Sequence, residues 1–119
     1  MKLVIRGHGI VGRGNLRLWQ PENPDVVAEY LYVDIGSKPG KGADTFSILV
    51  ATPAGLDTLE EREGILASRA LLVMKRYNFE DLWRWLERTV SKCEAETWNA
   101  CVEKLRIYFQ WEYENYKEG

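Results

Sequence analysis

The sequence predicts an α+β domain: an antiparallel sheet of about five strands, two helices from the C-terminal half packed on one face, and a final strand after them. Three observations predict it. Apolar and polar residues alternate with period two in the first half, most clearly over 27–35 and 43–52. Apolar residues then recur at helical spacing over 79–90 and 98–105. From Phe109 the period returns to two.

Lys2 to Arg6 reads as a short strand, with Leu3 and Ile5 on one face and Val4 on the other. The run Gly7-His8-Gly9-Ile10-Val11-Gly12 that follows matches G-x-G-x-x-G. That dinucleotide motif needs a helix whose N-terminus meets the pyrophosphate. Here Asn15 to Gln20 runs into Pro21 and no second βαβ unit follows, so the run reads as a turn or bulge between strand-like pieces. Pro21 to Asp25 is a turn. Val27 to Ile35 is a strand with Leu31, Val33 and Ile35 on one face and Tyr30, Tyr32 and Asp34 on the other. A hairpin loop, Gly36 to Gly42, leads into the middle strand; its Gly40-Lys41 lacks the spacing and the hydroxyl of a phosphate loop. In that middle strand, Ala43 to Thr52, the residues Phe46, Ile48, Val50 and Thr52 oppose Thr45, Ser47, Leu49 and Ala51. Pro53 removes a backbone donor and stops it.

Ala54 to Gly64 reads as a connection with one helical turn at Asp57 to Glu61, and Ala70 to Lys75 as another strand. Asn78 is suited to cap the first clear helix, whose buried face is Phe79, Leu82, Trp83, Leu86 and Val90. A break at Ser91 to Glu94 precedes a second helix with the stripe Trp98, Cys101, Val102 and Leu105. Phe109, Trp111 and Tyr113 then alternate with Gln110, Glu112 and Glu114 as a last strand, an aromatic edge with acidic residues on its other face.

A chain of 119 residues with 45% apolar and 29% charged residues is expected to form one domain, 1–119, that buries a core without staples. Its net charge of -2 argues against nucleic acid as the partner. No apolar run approaches the roughly 18 residues of a membrane span, so a cytosolic location with no membrane partner is expected. Cys93 and Cys101 with one His cannot supply four ligands to a structural zinc. On one helix they would lie roughly 12 Å apart, beyond disulfide reach, and they read as reduced packing residues.

No catalytic set, metal cluster or cofactor site emerges, and the chain reads as a non-enzyme. His8 sits in a glycine-rich run without a supporting partner. An alternative reading as a small hydrolase or nuclease would use the carboxylates Asp34, Glu112 and Glu114, or else His8. A further alternative is a scaffold that self-associates through an edge strand. Trp83 and Trp98 read as core, while Trp19 and Trp85 read as partly exposed and suited to an interface. The residues expected to contact a partner protein are Trp19, Asp34, Glu112 and Glu114.

Several short segments follow one another in a fixed order. They are Trp19-Gln20-Pro21-Glu22-Asn23-Pro24, the loop from Gly36 to Gly42, Thr45-Phe46 with Val50 and Thr52-Pro53, and Tyr77-Asn78-Phe79. After them come Cys93-Glu94-Ala95-Glu96-Thr97-Trp98 and Trp111-Glu112-Tyr113. Over about Leu16 to Tyr116 this order and spacing resemble the immunity protein 8 family, which accompanies bacterial polymorphic toxins and contact-dependent growth inhibition. The chain departs from the family pattern at Ala54-Gly55, where a large residue is common, and residues 1–15 match weakly. The resemblance implies a protein that binds and neutralises a cognate toxin C-terminal domain, a possible nuclease, in the cytosol. It implies stoichiometric binding with no cofactor and no reaction.

Overall fold

Period-two alternation produces three long strands: β1 (Lys2–Ile10), β2 (Ala28–Lys38) and β3 (Asp44–Ala51). After them come α1 (Pro53–Glu63), β4 (Leu71–Val73), α2 (Phe79–Lys92), α3 (Trp98–Leu105) and β5 (Gln110–Trp111). The computed structural model describes residues 1–114, without the side chains of Glu60, Glu61 and Glu63. The sheet runs β1-β2-β3-β4, and β5 also pairs with β3. Thus β3 has β2 antiparallel on one side. On its other side β4 lies parallel along Leu49–Ala51 and β5 antiparallel at Phe46 and Ser47.

The register Leu31↔Ile48 and Val33↔Phe46 puts Leu31, Val33, Ile35, Phe46, Ile48 and Val50 on one face. All six are buried there against Leu82, Leu86 and Val90 of α2 and Cys101, Val102 and Leu105 of α3. Burying each large apolar side chain contributes about 1.5–3 kcal/mol. The Asn78 and Thr97 side chains cap the two helices by accepting from Asp81 N at 3.0 Å and Ala100 N at 3.1 Å. Such caps are worth about 1 kcal/mol each. Packing of the apolar stripes therefore dominates helix docking, and the caps set where each helix begins.

Six features depart from the sequence reading. The glycine-rich run turns later than expected: β1 continues through Gly7 to Ile10, with a bulge between Ile5 and Gly7, and the turn comes at Val11 to Arg13, where Arg13 N donates to Ile10 O at 2.8 Å. β2 runs on to Lys38, which shortens the hairpin loop. The connection after Pro53 is a full helix rather than one turn. Thr52 starts it: its carbonyl accepts from Leu56 N at 2.9 Å and its hydroxyl from Gly55 N at 3.1 Å. Pro53, lacking an N–H, suits a first helical position. A Cβ on Gly55 would lie 1.9 Å from Val27 O, so the helix start presses on the main chain before β2. Because α1 forms a crossover, β4 pairs with β3 in parallel, the one non-antiparallel pair of the sheet.

β4 is shorter than Ala70 to Lys75 because only Leu71–Val73 stays in ladder register with β3. β5 likewise covers two residues of the Phe109 to Tyr113 pattern. Phe109 turns into the core at 0% exposure, and the chain leaves the ladder in a turn closed by Glu114 N onto Trp111 O at 3.0 Å. Trp85 widens the α2 stripe by packing edge-on against Phe109, centroids 5.9 Å apart. Cys93 and Cys101 are free and buried, and desolvation pushes the Cys93 thiol above its usual value. No helix among the described residues is long and apolar enough to cross a membrane.

Candidate partner-binding face

The sheet face turned away from α2 and α3 is set by the same alternation that builds the core. Tyr30, Tyr32 and Asp34 of β2 and Thr45 and Ser47 of β3 stand on it by register. Tyr30 is 50% exposed, and Tyr32, Asp34, Thr45 and Ser47 are half-buried. Gly7 pairs with Asp34 and Gly9 with Tyr32. A Cβ on Gly7 would come 2.7 Å from Asp34 Oδ2, and one on Gly9 2.7 Å from the Tyr32 ring and hydroxyl. The glycines are therefore the floor over which the Asp34 and Tyr32 side chains lie flat. This is the use the sequence makes of a run that looks like a nucleotide motif.

Asp34 and Glu112 meet at Thr45. Asp34 Oδ1 accepts from Thr45 Oγ1 at 2.7 Å, and Glu112 Oε1 accepts from Thr45 N at 2.9 Å. Asp44 is next in the chain and accepts from Trp111 Nε1 at 3.0 Å. By register Asp44 stands on the other, helix-covered face with Phe46 and Trp111, so two carboxylates, Asp34 and Glu112, gather at one end of the open face. Beside them Arg6 reaches across β2 and donates to Ser37 O at 2.9 Å, to Gly42 O at 3.2 Å and to Gly40 O. It holds the β2–β3 loop against the sheet.

The other two expected contact residues lie elsewhere. Glu114 is 11% exposed and is grasped by Arg69 and by Arg106 Nε at 3.0 Å. Burial alone would push its pKa up, but the two arginine hydrogen bonds and charges outweigh that and hold it below the usual value. Trp19 sits beyond the other end of β2, edge-on to Tyr77 with centroids 5.0 Å apart, in a cleft it shares with Arg13 and Glu29. Arg69 and Arg106 were invisible to sequence reasoning. Arg69 lies in a loop, 45 residues before its carboxylate partner, and no local pattern links them.

His8 lies on the opposite, helix-facing side, 5.1 Å from the Trp83 ring centroid. It does not converge with Asp34, Glu112 or Glu114, and no group of three or more metal-ligating side chains forms among the described residues. Arg17 covers the same Trp83 at 4.8 Å. His8 Nδ1 is buried and has no hydrogen-bond partner among the described residues. Desolvation and then the Arg17 charge lower its pKa, against a weaker opposing backbone hydrogen bond. The fold thus prefers neutral His8, and below about pH 6.5 the unfolded chain takes up the proton first. The stability carried by this preference is complete above that pH and is lost as pH falls through the folded-state pKa. Urea midpoints should drop between about pH 7.5 and about pH 5. His8→Gln should flatten the slope near neutrality, and an unchanged slope would remove His8 as its source.

The model of the family described as immunity protein 8 matches residues 3–116, every strand and helix of the fold. The chain belongs to the immunity protein 8 family. No curated protein and no solved structure matches it. Within this family member the acidic end of the open face is built by three non-adjacent segments, around Asp34, Thr45 and Glu112.

Proposed function

We propose that the chain neutralises a cognate bacterial toxin domain by stoichiometric binding in the cytosol, within a polymorphic-toxin or contact-dependent growth inhibition system. The family match over residues 3–116 carries this reading. The partner is held rather than transformed, so the reading needs no acid, base or nucleophile. The open sheet face supports it: the carboxylates of half-buried Asp34 and exposed Glu112 are held on the ladder at Thr45, and Tyr30 adds exposed aromatic surface. An acidic patch speeds encounter with a basic cleft such as a nuclease presents.

Of the four expected contact residues, Asp34 and Glu112 are the ones we place at the toxin. Glu114 and Trp19 serve chiefly by holding the arginines and Tyr77. Co-expression with the toxin domain encoded beside this chain should rescue growth and give a complex on size exclusion. Continued killing with no complex would defeat the proposal. Asp34→Asn with Glu112→Gln keeps both Thr45 hydrogen-bond acceptors and removes two charges. Stopped-flow association at low salt should slow by about tenfold, the gap closing at high salt. An unchanged rate would exclude this end of the face.

A further inference from the structure

The two edges of the sheet are treated differently. At β1, Glu94 accepts the outward Leu3 N–H at 2.7 Å and the N-terminal ammonium donates to Ala95 O at 2.7 Å, so the segment after α2 covers that edge. Among the described residues β4 has no such cover. Its bonds to β3 include Leu49 N to Ala70 O at 3.0 Å and Met74 N to Ala51 O at 2.8 Å. In a parallel ladder this leaves the N–H and C=O of Leu71 and Val73 pointing away from β3. Among the described residues nothing pairs with them. Natural sheets blunt such edges with charge, proline or a covering loop. Here Leu71-Leu72-Val73 has none, and Leu71 and Val73 are 40% and 48% exposed.

β4 also walls a groove of about 910 Å³ against α2, lined by Leu72, Met74, Tyr77, Leu82 and Trp85. The acids at its mouth are already matched: Asp25 with Arg76 at 3.5 Å and Asp81 with Arg84 at 3.6 Å. Lys75, also on the lining, joins no ion pair among the described residues. The unmatched charge of the groove is therefore positive. A second copy paired antiparallel about Leu72 would set Lys75 opposite Arg69, whose charge Glu114 already takes, so self-pairing would bring Lys75 no carboxylate.

We propose that β4 is the acceptor edge for an extended segment of the toxin, which pairs its main chain with Leu71 and Val73. Alternate apolar side chains of that segment enter the groove, and an Asp or Glu beside them meets Lys75. This rests on the reading of the chain as a toxin inhibitor. Main-chain pairing supplies the attachment, and the groove and Lys75 supply register and selectivity.

Amide hydrogen exchange on the complex with the catalytically inactivated toxin domain encoded beside this chain tests the proposal. The Leu71 and Val73 amides should slow by about tenfold or more on binding. Val73→Pro removes an outward N–H and no bond to β3, and should weaken binding by about tenfold. Val73→Ala keeps that N–H and should bind like the parent, while Lys75→Glu should bind more weakly. A complex that leaves both amides as fast as in the free protein overturns the edge proposal and leaves toxin inhibition standing. Absence of any complex overturns both. Slowing of these amides in the isolated protein as its own concentration rises would assign the edge to a second copy and overturn the proposal. Should Val73→Pro fail to fold by circular dichroism, the exchange measurement on the parent protein decides.

Discussion

Phe109→Ala is expected to lower the unfolding free energy by about 3–5 kcal/mol, a large share of what a domain of this size holds. Phe109 is 0% exposed and lies where three elements meet. Its ring is edge-on to Phe46 of β3 at 6.4 Å and to Trp85 of α2 at 5.9 Å, and its carbonyl accepts from Arg69 at 3.4 Å. Truncation loses the transfer energy of the ring and leaves a cavity that β3 and α2 cannot close without breaking ladder and helix register. Denaturant titration should show a lower midpoint at an unchanged m-value. Phe109→Leu, which restores most of the volume, should recover more than half of the loss. A cost below about 1 kcal/mol for the alanine variant would mean that the site collapses freely and that Phe109 does not join these elements.

Thr52→Val is expected to cost about 3 kcal/mol or more with almost no change in side-chain volume. The Thr52 hydroxyl accepts from Val27 N at 3.0 Å and from Gly55 N at 3.1 Å, and donates to Asp25 O at 2.7 Å. At 1% exposure no water reaches these groups easily. One oxygen thus satisfies three main-chain groups from the segment before β2 and the start of α1. Removing it leaves the Val27 and Gly55 N–H groups buried and unpaired, each at about 1–3 kcal/mol before relaxation, and takes the donor from the partly buried Asp25 carbonyl. Thr52→Ser keeps the hydroxyl and should behave nearly like the parent. If the valine variant unfolds thermally at the same temperature as the parent, the hydrogen bonds of Thr52 do not carry this stability. The valine variant also probes α1, because losing the Thr52 cap should release its first turn ahead of the rest.

Much of this was legible along the chain, for reasons tied to particular residues. Leu31, Val33 and Ile35 alternate with Tyr30, Tyr32 and Asp34, and the pleat alone decides which set shares a face. The α2 stripe of Phe79, Leu82, Trp83, Leu86 and Val90 and its Asn78 cap follow in the same way from the helical period. α1 was underestimated because its apolar residues form no stripe, yet Thr52-Pro53 before it and Gly64 after it, at φ 79°, are ordinary start and stop signals. The strand assignment of Gly7 and Gly9 could not be read locally, since glycine disfavours a strand unless a neighbour fills its space. That neighbour is Tyr32 and Asp34, more than twenty residues later in the chain.

The sequence by itself determined the α+β class, the face of each long strand, the positions of α2 and α3 and the order of segments that marks the immunity protein 8 family. Periodicity and capping act within a few residues, so a linear reading recovers them. Only the tertiary structure decided that Asp34 and Glu112 converge on Thr45, that Arg69 and Arg106 take Glu114 for the fold, and that β4 runs parallel to β3 with its outer edge unpaired among the described residues. Each of those outcomes depends on which distant segments the core brings into contact, and contact across the chain leaves no periodic trace in the order of its residues.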